Sequence, residues 1–219
     1  MKAKFLIVLV FGLSLAAIAQ DTAHQPVTRI FSFSPMPRKT DKVNGVVVGI
    51  THNRFNDLNK PLAINGLNLE INPLTPLILL FLDPELARDD RVFLVHNGLH
   101  ISTGGYAGSI TQNGLGISVY NIVAASNGVS VAGVYNVTDT LNGLHISGLF
   151  LSAKRARGLL IAPINKVEDG KGLQVGLYNK AGAFTGVQIG LFNQTGRTKG
   201  LQIGLWNKNT RRSLPFINF

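Results

Sequence analysis

Cysteine is absent from the 219 residues. No disulfide can staple this chain, so its stability must come from burial and hydrogen bonding. A lipid anchor carried on an N-terminal Cys is excluded for the same reason. Long apolar runs are scarce as well. After the leading apolar stretch only Leu74 to Leu82 (LTPLILLFL) stands out, and Pro76 interrupts it. A spanning helix needs about 20 apolar residues, so this run reads either as a membrane-contacting loop or as a buried cap. Acidic residues are the third shortage: 11 Asp and Glu face 21 Lys and Arg, for a formal charge of +10. The imbalance is local. Residues 20–153 carry a net charge of −1, whereas residues 154–219 carry +9.

Catalytic signatures are missing too. There is no Gly-x-Ser-x-Gly elbow, no phosphate loop ending in Gly-Lys-Ser/Thr, and no pair of carboxylates at recurrent positions. His96-Asn-Gly-Leu-His100 has helical metal-ligand spacing, but Asn-Gly makes a turn, and a metal needs three or more convergent ligands. His100 and His145 sit at the same place in two identical NGLHIS strings, so duplication accounts for them. Asp83, Glu85, Asp89 and Asp90 cluster without a calcium-loop pattern and read as a solvated loop. The sequons at Asn136 and Asn193 coincide with a repeated Asn and carry no further meaning. The expectation is a non-enzymatic chain with no catalytic residue, no metal and no cofactor.

What is present begins with an export signal. Lys2 and Lys4 precede an apolar stretch from Phe5 to Leu15, and Ala17-Ile18-Ala19 supplies a small-x-small cleavage site before Gln20. This is a secretory leader, too short for an anchor. The protein is therefore expected to be exported, to the outer membrane or the cell surface, which argues against a nucleic-acid partner.

Internal repetition is the most informative feature. Gly172-Leu-Gln-Val-Gly-Leu-Tyr-Asn179, Gly186-Val-Gln-Ile-Gly-Leu-Phe-Asn193 and Gly200-Leu-Gln-Ile-Gly-Leu-Trp-Asn207 follow one another at a constant step. Stepping back by the same interval, or by one residue more, meets Asn165, Leu151, Asn136 and Asn121, each preceded by an aromatic or Ile. Farther upstream the units survive as Asn-Gly starts at Asn44, Asn65, Asn97, Asn113, Asn127 and Asn142. About ten units result, with insertions after Gly45 and Gly66. The expected organisation is a leader over 1–19, an N-terminal segment over 20–43, degenerate repeats over 44–97, and a regular array with a C-terminal cap over 98–219.

Within a unit the apolar residues alternate: Leu201, Ile203 and Leu205 point one way, and Gln202, Gly204 and Trp206 the other. Each unit reads as one strand plus a polar turn such as Gln194 to Lys199, and the whole as all-β. Two closures fit. In a β-solenoid, equivalent residues stack about 4.8 Å apart, and Asn121, Asn136, Asn165, Asn179, Asn193 and Asn207 form a corner ladder with Tyr178, Phe192 and Trp206 stacked beside it. In an antiparallel outer-membrane barrel, strands of about ten residues would expose Leu and Ile to lipid, and the terminal Phe219 is typical of that class. Such a barrel would be a small pore or transport accessory. The lack of alternating loop lengths favours the solenoid. So does the offset of Val129 and Val131 from the register of Leu201 and Ile203, which a lipid-facing wall would tolerate poorly.

The GLQIGLWN-type units, the leader and the aromatic C-terminal hexapeptide resemble the surface-repeat-containing proteins of Leptospira and Bacteroidota. The resemblance is close over residues 158–219 and loose over 98–157. It implies an exported, envelope-associated protein with a structural or adhesive role, and adds no catalytic residues. The basic side chains suggest what such a surface binds. Lys154, Arg155, Arg157, Lys180, Arg197, Lys199, Lys208, Arg211 and Arg212 are expected in turns between strands. There they would line one edge as a positive stripe, suited to lipopolysaccharide, acidic glycan or a membrane surface. The repeats leave the oligomeric state open.

Overall fold

The computed structural model describes residues 27–37, 40–50, 61–81 and 92–219. The segment expected to be a leader, His24, His52 and the acidic cluster Asp83, Glu85, Asp89 and Asp90 lie outside the described residues. Among the described residues ten strands run in chain order: β1 (Val27–Ser34), β2 (Thr40–Ile50), β3 (Leu62–Ile71), β4 (Leu94–Ser102), β5 (Ile110–Ser147), β6 (Phe150–Ile161), β7 (Ile164–Val175), β8 (Tyr178–Ile189), β9 (Phe192–Lys208) and β10 (Ser213–Asn218). A short helix, α1 (Thr75–Phe81), follows β3.

Each strand pairs with the next in the same order. From β1 to β9 neighbours are parallel, and like residues meet: Asn97 pairs with Asn113, Gly172 with Gly186, Gln188 with Gln202. Parallel neighbours joined by turns of a few residues require the chain to wind rather than reverse. The fold is a β-solenoid of about ten coils, and the antiparallel barrel is ruled out by the direction of these strands. Only β10 runs antiparallel, folding back over the open edge of β9. Pro215 lies in that edge strand, where it lacks an N–H to offer another chain.

The coil Tyr178–Leu191 serves as a ruler, numbered 1 to 14. Positions 2, 4, 7 and 11 (Asn179, Ala181, Phe184 and Gln188) are buried, while positions 1, 3, 8, 10, 12 and 14 reach the surface. The bend at position 9 is Gly in every coil from Gly45 to Gly200. Gly186 has φ +132°, and a Cβ there would sit 2.0 Å from the carbonyl oxygen of Gly172 one coil back. Hence the Asn-Gly dipeptides do not close turns. They kink continuous strands, and segments such as Gln194 to Lys199 lie within β9. The expected offset of Val129 is also absent. The Gly128–Gly143–Gly158 column sets Val129 and Val131 at positions 10 and 12, in the same columns as Leu201 and Ile203 five coils on. The extra residue of a longer step falls at the corner Ala132-Gly133-Val134, within β5, so counting back from the aromatic residue misplaces it.

The core is not a uniform apolar filling. Near the start, Val43, Val47, Leu62, Ile64, Leu94, Tyr106, Ile110 and Val123 cluster. In the coil of β6, Leu151, Ala153, Ala156 and Leu160 form an apolar plug with Leu141. Beyond it the interior is lined with amides, because Gln174, Gln188, Gln202, Asn179 and Asn207 are fully buried. This inverts the usual sheet pattern: the Leu and Ile of GLQIGLWN face out and the Gln faces in. Burying an amide is tolerable only when it is hydrogen-bonded, and the strand spacing lets each coil satisfy the next.

Candidate interaction surface

Ladders of side-chain amides tie each coil to the next beneath the surface. Asn165 donates to Asn179 at 2.9 Å, Asn179 to Asn193 at 2.8 Å and Asn193 to Asn207 at 2.7 Å. Their second N–H is satisfied as well, as when Asn179 donates to the Ile189 carbonyl at 2.9 Å. Asn121 donates to Asn136 at 3.5 Å, and Leu151 separates this pair from the later run. A second ladder runs the opposite way: Asn218 donates to Gln202 at 3.0 Å, Gln202 to Gln188 at 2.8 Å and Gln188 to Gln174 at 2.6 Å. Both stop at the plug. Asn165 Oδ1 and Gln174 Nε2 have no partner among the described residues, for their neighbours one coil back are Leu151 and Leu160.

A third ladder is not among the sequence expectations. At position 8, on the surface, Asn142, Asn127, Asn113, Asn97 and Asn65 donate in succession at 2.6 to 2.8 Å, ending on Asn44. The recurrence of Asn before each Gly is its signal. A turn reading hides it by assigning both residues to one local bend.

Aromatic residues align in register at position 1: Tyr178 pairs with Phe192, and the backbone N–H of Trp206 donates to the Leu191 carbonyl at 3.0 Å. Trp206 faces outward, not with Gln202 as strict alternation predicts, because the corner at Gly204-Leu205, within β9, breaks the period of two. Upstream, Tyr120, Tyr135 and Phe150 continue this column. There α1 covers it, with Ile78 and Leu79 packed on Tyr120, Ile122 and Val137. Thus part of the LTPLILLF run is a cap, while Leu77, Leu80 and Phe81 stay exposed.

The basic side chains do not gather into one stripe. Lys154, Arg155 and Arg197 stand at positions 5 and 6, on a corner they share with Asp139, Glu168 and Asp169. The Lys154 ammonium lies 2.9 Å from the Asp139 carboxylate. Charges there are interleaved. Arg157 and Lys199 stand at position 8 with Lys171, continuing the outer Asn column. Lys180 and Lys208 stand at position 3 with Lys166, and all three are exposed. From Phe150 to Lys208 neither column contains a carboxylate. Arg211 and Arg212 lie in the loop before β10, where Asn209 Oδ1 accepts both backbone N–H groups at 2.9 and 2.8 Å. The Arg212 guanidinium stacks over Phe219 at 4.7 Å.

Between the two basic columns the surface is apolar. Positions 10 and 12 hold only Val, Leu or Ile in every coil from Val46 and Val48 to Leu201 and Ile203. Position 14 adds Leu177, Leu191 and Leu205, which are 57%, 44% and 56% exposed.

The histidines at 96, 100 and 145 are interior groups. His100 stacks on Tyr106 with centroids 3.9 Å apart, and Asn68 donates to the Tyr106 hydroxyl at 3.0 Å. Burial raises the Tyr106 phenol well above its ordinary value. It lowers His96 and His145 to about 4. No group of three His, Cys, Asp or Glu able to hold a metal occurs among the described residues. No protein-family model, no curated protein and no solved structure matches the chain.

Proposed function

We propose that the chain is a non-enzymatic, exported envelope protein whose solenoid is a scaffold binding anionic envelope molecules. One observation carries this reading. Between Phe150 and Lys208 the acidic side chains stand at one corner, leaving the basic columns at positions 3 and 8 uncompensated. The parallel register repeats these cations at multiples of about 4.8 Å on a backbone that cannot splay. A positive field of fixed spacing attracts polyanions and anionic surfaces. The leader sequence and the resemblance to surface-repeat proteins support the location. The interleaved corner supports binding weakly, because its charges already neutralise one another.

The test is binding to lipopolysaccharide micelles or phosphatidylglycerol vesicles across a salt series. A basic side chain near an anionic surface is worth about 1 kcal/mol. The triple variant Lys180→Gln, Lys199→Gln, Lys208→Gln is expected to weaken binding roughly a hundredfold and flatten its salt dependence. Neutralising Lys154, Arg155 and Arg197 instead is expected to cost far less. Equal losses from both triples would sink the assignment of the columns.

A further inference from the structure

We infer that the partner is the surface of an anionic lipid bilayer, into which the apolar ridge between the two basic columns sinks. This rests on the anion-binding reading above and specifies its partner.

The position-1 flank of the ridge is what α1 covers upstream, while positions 10 and 12 are open there as well, as at Leu115 and Ile117. In the middle coils Tyr120 is fully buried, with its hydroxyl accepting from Asn72 at 2.9 Å, and position 3 beneath the helix is apolar, as Ile122 and Val137. Past Phe150 the cover ends. Ile164, Phe192 and Trp206 are then bare at position 1, and position 3 becomes polar, with Lys166, Lys180 and Lys208. The change from apolar to lysine occurs where the helix stops. Going round the last coil, one meets Lys199, then Leu201 and Ile203, then Leu205 and Trp206, then Lys208; the coil of Lys171 repeats this with Leu173, Val175, Leu177, Tyr178 and Lys180, and neither path meets a carboxylate.

A soluble polyanion would use only the outer columns and leave Leu177, Leu191, Leu205 and Trp206 in water. A bilayer uses every part. Its acyl boundary takes the apolar ridge, its interface suits aromatic rings, and anionic headgroups meet the cations on either side. Lysine stems of this length lie along apolar surface while the ammonium stays in the headgroup layer. A bilayer also makes no demand for registry, which fits a ridge of recurring residues.

Trp206 is the only tryptophan and stands on the ridge, so native fluorescence reports the event. The chain from Gln20 onward would be mixed with phosphatidylglycerol vesicles, phosphatidylcholine vesicles or dextran sulfate. The expected result is a blue shift of Trp206, and quenching by brominated acyl chains, with phosphatidylglycerol alone. Leu177→Gln, Leu191→Gln and Leu205→Gln together should weaken vesicle binding at least tenfold and leave dextran sulfate binding within twofold. Should that variant fail to fold, the wild-type quenching decides. Binding to vesicles and dextran sulfate alike, with Trp206 unshifted, overturns the ridge and keeps the anion-binding reading. Binding to neither overturns both. A Trp206 shift that follows protein concentration without lipid, with doubled mass in ultracentrifugation, makes the ridge a self-interface and overturns the inference.

Discussion

The coils before and after the Leu151–Leu160 plug share one backbone and differ in what fills and coats it. Upstream, the interior holds Val, Ile, His and Tyr, the outer position 8 is a chain of mutually bonded Asn, and a helix covers the aromatic column. Downstream, the interior is two amide ladders, position 8 is basic, and the column is bare. Parallel pairing supplies the geometry in both. Side chains then need only agree with their own kind one coil away. An interior of amides and an interior of aliphatics are alternative solutions, and the plug is where one gives way to the other. The surface follows the same division, since neutral amides coat one half and cations the other.

The largest effect expected from breaking this comparison is in the amide core. Gln188→Leu would orphan Gln174 Oε1, take from Gln202 Nε2 its shortest bond and remove the acceptor of the Thr195 hydroxyl, which keeps only the bond it accepts from Gln202. Each unsatisfied buried group costs about 1–3 kcal/mol, so a loss of roughly 4 kcal/mol in urea unfolding is expected. A loss under about 1 kcal/mol would mean that the ladder contributes little.

Acid should act on the other half. His96 and His145 are lowered by burial from 6.5 to about 4. The unfolded chain therefore binds protons first, and the stabilisation present above pH 6.5 is lost as pH falls toward 4. At pH 5 the loss is about 2 kcal/mol for each histidine. No histidine follows His145. Hydrogen exchange at pH 7 and 5 should show protection falling in β4 and β5 while β8 and β9 keep theirs. His145→Gln should reduce the drop; uniform loss across all strands would contradict the division.

The smallest effect sharpens the boundary. Leu151→Asn places an amide where Asn165 Oδ1 lacks a donor. Replacing a buried Leu by a smaller residue costs about 2–5 kcal/mol, and here the new bond offsets much of that, leaving about 1 kcal/mol or less. Leu141→Asn, whose neighbour in β6 is Ala156, gains no such bond and should cost several times more. Equal costs for the two would show that the gap in the ladder is of no energetic consequence.

Much of the fold is legible in the chain. The near-constant step from Asn121 to Asn207, the identical NGLHIS strings and the alternation around Gln202 lead to an all-β array of about ten units. Residue order alone leaves parallel winding open against an antiparallel barrel, because both closures accept one strand and one turn per repeat. Position 8 and the Gln ladder are harder to see. Asn-Gly is a turn signal in isolation, and it becomes a kink only when another glycine carbonyl lies against it. The basic residues can be read one by one. Their division into two clear columns and one neutralised corner depends on which positions share a side of the coil.

By itself, the sequence determined the period, the strand content and the confinement of positive charge to the C-terminal third, because these are properties of residue order and type. Which side of each strand is inside was decided only in three dimensions. A Gln buried alone is costly, but a Gln bonded to its copy one coil away is not, and that neighbour stands a full repeat off in the chain. The outward Leu and Ile, the helix over Tyr120 and the bare ridge ending at Trp206 follow from this long-range pairing.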